Sequence, residues 1–294
     1  MTKQGQIHRE EFFELEICKI LQKSDWKVLS DSANDPDFSK ANYNRKLAIL
    51  KDEVLDFVKD TQPKEWKAHK QNYNGGSEEQ FIKRLCQELD NEGMLYVIKN
   101  GFKDRGVKFE LCFKKPNNNA NEDTIKLYDQ NRLIAVRQLH YSLNNENSID
   151  VVLFLNGLPV ATVELKTGFT QSINDAIDQY KYNRKPSGEI LLSFKKRALV
   201  HFAVSTDEVY MATKLDGENT YFLPFNKGFN FGAGNPPVDG NYRTHYMWDV
   251  IWQKDNWLDI ITRFIHLEKK EEFNKKGKRK IKEALIFPRY HQWE

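Results

Sequence analysis

The sequence predicts an α/β fold in which helices flank a β-rich middle region. Three features of the residue pattern predict it. Apolar residues recur at helical spacing over 8–23, β-branched runs typical of strands fill much of 133–213, and a second helical pattern follows at about 258–267. Since strands and helices must bury their apolar faces against each other, this order favours helices packed on a sheet. The 294 residues suffice for one large domain or two small ones.

The N-terminal part of the chain is predicted to be mainly helical. The first helix covers 8–23, and apolar residues at helical spacing mark two further helices around 47–58 and 81–89. Residues 107–113 alternate like a strand, and 117–121 are expected to form a loop.

The rest of the chain is predicted to contain the main strands. Strands are expected at 133–141, 149–155, 160–166, 198–205 and 209–213, a helix at 171–184 and a long surface loop at 224–246. The sequence Asn156-Gly157-Leu158-Pro159 is typical of a tight turn, so the strands on either side of it should form a hairpin.

Composition indicates a cytoplasmic protein. The three cysteines have no metal-ligand spacing and cannot all pair, which favours a reducing compartment. The N-terminus is too polar for a signal peptide. The longest apolar stretch, 149–165, is interrupted by two acidic residues and an asparagine, so it is typical of paired strands and not of a membrane span.

The predicted hairpin carries a group of residues suited to phosphodiester hydrolysis. Asp150 opens its first strand, and Glu164-Leu165-Lys166 closes the second. Glu164 and Lys166 are two residues apart, so they point to the same face of the strand. Two carboxylates and the Leu165 carbonyl can hold Mg²⁺, while the lysine orients water and stabilises developing charge. The hairpin therefore carries the groups that metal-dependent phosphodiester hydrolysis requires, and a nuclease is one of two interpretations of the motif.

This prediction makes a demand on the pairing of the two strands. Asp150 faces Glu164 only if paired residue numbers add up to 314. A plain two-residue turn gives 313 or 315, and a one-residue slip would put the carboxylates on opposite faces. We therefore predict a three- or five-residue loop, or a β-bulge.

The motif alone leaves a structural alternative open. The same spacing occurs at Glu65-Trp66-Lys67 and at Glu268-Lys269-Lys270, but those copies lie in polar or helical stretches with no buried strand before them. Only the Glu164 copy belongs to an apolar hairpin, where unpartnered charges are costly and should share a site. A structural ion pair at a sheet edge explains the motif as well as catalysis does.

The wider sequence resembles the N-terminal part of Type I restriction endonuclease R subunits. The resemblance runs from about residue 10 to the end, and it includes NGLP at 156–159, ELK at 164–166 and FPRYHQ at 287–292 in the family's order. It implies a PD-(D/E)xK restriction-endonuclease-like core, which is a mixed central β-sheet flanked by helices. It also implies that Asp150 and Glu164 bind Mg²⁺ and that Lys166 assists catalysis on double-stranded DNA.

Three further residues follow from the resemblance alone. The family's Gln-x-x-x-Tyr element begins at Gln179, but its fourth following residue is Asn183, and Tyr182 stands one position early. Gln179 and Tyr182 are therefore candidates for supporting DNA or the metal site. Glu14 can approach the site from the first helix, and a solvated position on the helix surface is the alternative.

The resemblance also predicts the domain plan and the partners. Residues 1–267 would form the endonuclease domain with its N-terminal helical region. Residues 268–294 would be a basic linker and the first residues of an ATP-dependent motor, which FPRYHQ introduces in R subunits. No Gly-x-x-x-x-Gly-Lys-Ser/Thr loop occurs, so we expect ATP to be needed by the full-length subunit but not bound by this chain. The expected partners are the methyltransferase and specificity subunits.

Charge bears on how DNA reaches the site. Residues 268–294 hold nine Lys or Arg against five Asp or Glu, whereas residues 1–267 hold 36 against 37. A domain that grips DNA alone usually has a basic excess, so we expect DNA to be delivered by another component, with cleavage away from the recognition site. The alternative is a nuclease-fold docking module, inactive in isolation, that contacts the motor or methyltransferase. A stand-alone repair nuclease is a third possibility. The FPRYHQ sequence, which introduces the motor in R subunits, argues against it.

Overall fold

A computed structural model describes residues 3–116, 121–167, 172–273 and 279–294, with side chains from residue 10 onward. The predicted fold class is confirmed, because a mixed eight-stranded sheet is flanked by helices. The loop expected at 117–121 lies almost wholly outside the described residues, as do residues 274–278 of the predicted basic linker.

The elements follow one another along the chain in an α/β order. The α-helices are α1 (Lys3–Lys23), α2 (Lys51–Thr61), α3 (Pro63–Gln71), α4 (Ser77–Asn91), α5 (Met94–Asn100), α6 (Glu122–Asp129), α7 (Ile173–Asp178), α8 (Lys254–Asp259) and α9 (Tyr290–Trp293). The strands are β1 (Lys27–Ser30), β2 (Ser39–Lys40), β3 (Phe102–Asp104), β4 (Val107–Phe109), β5 (Leu133–His140), β6 (Ser148–Leu155), β7 (Leu158–Lys166), β8 (Val200–Ser205), β9 (Val209–Ala212), β10 (Leu223–Pro224), β11 (His266–Phe273) and β12 (Arg279–Ile286). Wide π-helical turns occupy Gln179–Asn183, Met247–Ile251 and Ile260–Phe264, and a 3₁₀ turn occupies Ile190–Leu192.

The strand order of the large sheet is β10-β9-β8-β7-β6-β5-β1-β2. Strands β7 and β8 run parallel, whereas β6 is antiparallel to both β5 and β7. The carboxyl ends of β5, β7 and β8 and the amino end of β6 therefore meet at one edge of the sheet. That edge carries the residues predicted to form the active site.

Both faces of the central strands are covered. On one face, α1 contributes Phe13 and Ile17 to a core that includes Val151 and Val163. On the other face, a second core contains Val152, Phe154 and Tyr180. Every residue of β7 is buried. Coverage on both faces explains why 149–165 forms a nearly continuous apolar run.

Several local predictions differ from the structure. Helices α3 and α5 were not predicted, and the strand expected at 107–113 is confined to Val107–Phe109. The helix expected at about 258–267 begins at Lys254 and gives way to β11 at His266. Among the described helices, none combines the length and the apolar character needed to cross a membrane. All three cysteines are buried and form no disulfide bond.

The charged segment after residue 267 forms a two-stranded antiparallel ribbon where the sequence indicated a solvated linker. Strands β11 and β12 pair from His266↔Ile286 to Phe273↔Arg279. An opposite-charge pair, Lys269 with Glu283 at 3.3 Å, faces across the strands and supports the pairing, whereas Lys270 faces the like charge of Lys282. Beyond the ribbon, Phe287 packs against Phe225 of the main core. The assignment of 268–294 to the start of a motor domain remains a prediction.

Candidate active site

The hairpin of β6 and β7 has a tight turn and a bulge. Asn156 and Gly157 both have positive φ, at 52° and 83°, as the favoured two-residue hairpin turn requires. Leu155 pairs with Leu158 and Phe154 with Pro159, but Leu153 pairs with Ala161, so Val160 is an extra residue. The predicted bulge is confirmed. From there the register places Asp150 opposite Glu164, on the same face of the sheet.

Each of the two carboxylates has one oxygen held by the protein. Asp150 Oδ2 accepts a hydrogen bond from the Leu165 backbone N–H at 2.7 Å, and its Oδ1 lies 3.5 Å from the Gln138 amide nitrogen, which is a weak contact. Glu164 Oε1 accepts a hydrogen bond from Arg184 Nε at 2.7 Å. Within the described part of the chain, the buried Oε2 atom of Glu164 has no hydrogen-bond partner. One oxygen of each carboxylate is therefore weakly bonded or unpartnered.

Lys166 lies at the end of β7, on the face of the strand that carries Glu164. Its ammonium is almost fully buried, and Nζ is 3.4 Å from Glu10 Oε2 on α1. That distance is long for a hydrogen bond between charged groups, so the ammonium is loosely held. The structure thus brings Asp150, Glu164 and Lys166 together, and their catalytic roles remain predictions.

Burial and mutual repulsion make Glu164 an unusual acid. Its side chain is 0% exposed. Desolvation first, and the nearby negative charge of Asp150 second, raise the pKa of Glu164 to about 8, while the charges of Arg184 and Lys166 act in the opposite direction. A site that holds two repelling carboxylates at this depth gains from an added positive charge.

Glu14 reaches the same site from α1 and is buried, so the alternative of a solvated helix surface does not describe it. It accepts hydrogen bonds from Arg137 Nε at 2.8 Å and from the Gln138 amide at 2.6 Å. Burial, and then the charge of Asp150, raise the pKa of Glu14 to about 7. The structure therefore places Glu14 beside Asp150, and its role toward DNA or metal remains a prediction.

The two residues of the predicted Gln-x-x-x-Tyr element differ in position. Gln179 begins the π-helical turn, and its side-chain oxygen is buried with no hydrogen-bond partner among the described residues. Tyr182 is 52% exposed and makes no hydrogen bond or ring contact within the described ranges. The structure does not bring Tyr182 to the carboxylates. A supporting role for Gln179 remains a prediction.

Sequence reasoning missed three residues that line the site. Arg184 binds Glu164, Arg137 binds both Glu14 and Asp35, and Gln138 contacts Glu14 and Asp150. Gln138 has a φ of 49°, a left-handed conformation that costs energy in a residue other than glycine. No local pattern marks these residues, because each contact depends on neighbours distant in sequence. Arg137 and Gln138 end the stretch 131–138, which also resembles R subunits, but that resemblance does not indicate their contacts.

The donor set fits a hard divalent cation. In the described part of the chain, no three His, Cys, Asp or Glu side chains are placed to hold a metal ion together. Asp150 and Glu164 offer two carboxylates, and the unpartnered Glu164 Oε2 is a free oxygen ligand. Mg²⁺ binds through one or two carboxylates and completes its shell with water and phosphate oxygens. The Leu165 carbonyl remains a predicted third ligand.

Two comparisons with known proteins bear on the family of this chain. The model of a family described as Type I restriction enzyme R protein N terminus matches residues 9–220. A curated protein of Methanocaldococcus jannaschii, described as a candidate type I restriction enzyme MjaVIIIP endonuclease subunit, is 25% identical over 284 residues. The match covers 95% of this chain but only 24% of that protein.

Proposed function

Because the chain belongs to the family of Type I restriction enzyme R protein N-terminal regions, we propose that it is the nuclease domain of such a subunit. The proposed reaction is Mg²⁺-dependent hydrolysis of phosphodiester bonds in double-stranded DNA, away from the recognition site. The observation that carries it is the bulged hairpin, which puts Asp150 and Glu164 on one face with Lys166 beside them.

The proposed mechanism assigns one task to each residue. Asp150 and Glu164 would hold Mg²⁺ through the oxygens that the protein does not bind firmly. The bound ion would supply charge stabilisation at the phosphate and a more acidic water. Lys166 would orient the attacking water and stabilise charge that develops on the phosphate, because its buried ammonium is only loosely paired with Glu10.

The rest of the proposed system lies outside this chain. The chain spans about a quarter of the length of the curated relative it matches. The ATP-driven motor that the resemblance to R subunits implies is therefore proposed and not observed. The near-neutral charge of residues 1–267 supports DNA delivery by that motor. Methyltransferase and specificity subunits are the proposed partners, residues 1–267 the proposed nuclease domain, and the cytoplasm the proposed location.

The test is cleavage by the assembled restriction complex with Lys166→Ala in this subunit. We expect a loss of DNA cleavage of about a hundredfold or more, with ATP-driven translocation unchanged, because the substitution removes only a group that acts on the phosphate and water. Lys67→Ala is the matched control, since Glu65-Trp66-Lys67 has the same spacing on α3 and Lys67 is exposed. Normal cleavage by the Lys166→Ala complex would refute the proposed role.

A docking module without activity of its own is the second candidate. The near-neutral body favours it for the isolated chain, which has little positive charge with which to hold DNA. A Mg²⁺-dependent nicking assay on the purified chain at low salt separates the two candidates. Nicking that is lost in Lys166→Ala supports the nuclease. If the isolated chain does not nick DNA and the Lys166→Ala complex still cleaves normally, the chain is a docking module.

A further inference from the structure

Arg184 lies at the end of the π-helical turn Gln179–Asn183 and contacts the candidate active site. We propose that Arg184 is a positioning residue that fixes Glu164 so that one defined oxygen, Oε2, is presented to the metal ion. The inference rests on the proposed function, since it assumes that Glu164 is a metal ligand. It also accounts for the departure of this chain from the Gln-x-x-x-Tyr pattern.

The contacts of Arg184 leave a single oxygen of Glu164 free. Arg184 Nε donates to Glu164 Oε1 at 2.7 Å, and Nη2 donates to the Ser148 carbonyl at 2.7 Å. The planar guanidinium therefore bridges β6 and β7, the strands that carry Asp150 and Glu164. Because Oε1 is occupied, the buried Oε2 is the oxygen left to bind a cation.

The π-helical turn explains why Arg184 takes this place. In an α-helix the fourth residue after Gln179, which is Asn183, would stack over it. Here the Arg184 N–H donates to the Gln179 carbonyl at 2.9 Å, so the turn contains one additional residue. Arg184 consequently stands above Gln179 on the face that packs against the sheet. Tyr182 is turned toward solvent.

A second contact anchors the turn to the same face of β7. The Tyr180 hydroxyl lies 2.8 Å from Thr162 Oγ1, which is also 2.8 Å from His201 Nδ1. Thr162 and Glu164 are two residues apart on β7 and point the same way. The turn is thus attached at two successive positions of this strand face, through Tyr180 and through Arg184. Two attachments fix the guanidinium more firmly than a single ion pair would.

Burial supports the same role. Glu164 is 0% exposed, and a buried carboxylate needs a partner to hold it in place. The ion pair with Arg184 supplies that partner at Oε1. Arg184 therefore holds Glu164 in one orientation and leaves Oε2 uncovered.

The experiment measures Mn²⁺ binding to the DNA-free protein by electron paramagnetic resonance titration, for wild type, Arg184→Gln, Arg184→Lys and Asp150→Asn. We expect Arg184→Gln to weaken Mn²⁺ affinity about 10- to 100-fold, the effect typical of removing a group that orients a metal ligand. Arg184→Lys should fall between Arg184→Gln and wild type, because an ammonium keeps the charge but cannot bridge Glu164 and Ser148 in the same way. Lys185→Gln, an exposed neighbour, is the matched control and should bind like wild type.

Thermal unfolding of each variant shows whether it is folded. If Arg184→Gln is unfolded, the Mn²⁺ affinity of Arg184→Lys tests the inference instead. Wild-type affinity in folded Arg184 variants, or affinity above wild type, would overturn the inference; a gain would mean that Arg184 competes with the cation. If wild type binds Mn²⁺ and Asp150→Asn does not, the proposed function stands even when the Arg184 variants overturn this inference. If wild type itself binds no Mn²⁺, the proposed function and this inference both fail.

Discussion

Asp150 Oδ2 accepts a hydrogen bond from the Leu165 backbone N–H at 2.7 Å, across the strands of one hairpin. Leu165 separates Glu164 from Lys166, so this single bond ties the first acidic residue to the backbone that carries the other two candidate residues. Because the hairpin is buried on both faces, side-chain positions here are set by strand register. The arrangement of the site is therefore determined by the fold.

The first prediction concerns pH and Glu164. Its pKa is raised from 4.5 to about 8, so folding favours the protonated form. This contribution to the free energy of unfolding is complete below pH 4.5 and is lost as the pH rises through about 8. The free energy of unfolding then falls by at most about 1.4 kcal/mol per pH unit. Urea unfolding in a chelator should show a steeper decline with pH for wild type than for Glu164→Gln.

Metal affinity should change in the opposite direction over the same interval. Binding needs the ionised carboxylate, so Mn²⁺ affinity should increase as the pH rises toward about 8, with release of a proton. Equal pH dependence of unfolding in wild type and Glu164→Gln would show that Glu164 does not titrate in this range.

The second prediction concerns Glu14, whose pKa is raised to about 7 by burial and by Asp150. Its contribution to the stability of the metal-free protein should be lost as the pH rises from 4.5 through about 7. Glu14→Gln should remove that component and lower Mn²⁺ affinity only severalfold, because Glu14 supplies charge beside the site. Glu11→Gln, an exposed neighbour on α1, is the control.

Urea unfolding and Mn²⁺ titration at several pH values measure both effects of Glu14→Gln. A complete loss of binding would mean that Glu14 is itself a metal ligand, in contrast to this prediction.

The third prediction concerns the hairpin turn. Gly157 has a φ of 83°, and a Cβ there would come within 2.7 Å of the Val54 backbone nitrogen and 2.8 Å of the Leu50 carbonyl oxygen. Gly106 has a nearly identical φ of 84° but open space around it. Gly106→Ala should cost about 1–2 kcal/mol of unfolding free energy, the penalty of the left-handed conformation alone.

Gly157→Ala should cost roughly 1–3 kcal/mol more than Gly106→Ala, because α2 must move away from the turn. Urea unfolding of the two variants measures the difference. Equal losses would show that the contact between the turn and α2 is not tightly packed.

The sequence was sufficient to predict the hairpin but not all of its surroundings. Strand alternation, the Asn-Gly turn and the register requirement are local properties, and together they predicted either a longer loop or a bulge. The structure has the bulge, and only the structure locates it at Val160. The contact between Arg184 and Glu164 was not predictable, since it depends on a helical turn with one additional residue, and no sequence pattern predicts that turn. The left-handed Gln138 is likewise fixed by its contacts with Glu14 and Ser148.

The ribbon of β11 and β12 shows a different limit. Alternating charges such as those of 268–273 are typical of solvated segments, and the cross-strand pairs that organise them join residues up to about twenty positions apart. Pairing of Glu268 with Ala284 or Lys269 with Glu283 cannot be read from either segment alone.

The most direct measurement is the anomalous diffraction of crystals of this protein soaked in Mn²⁺. The proposed site predicts a peak bound by Glu164 Oε2 and Asp150 Oδ1, and that peak should vanish in Asp150→Asn crystals. No peak between these carboxylates at a Mn²⁺ concentration that supports cleavage by the assembled complex, or a peak only elsewhere, would contradict a metal-dependent nuclease site on this hairpin.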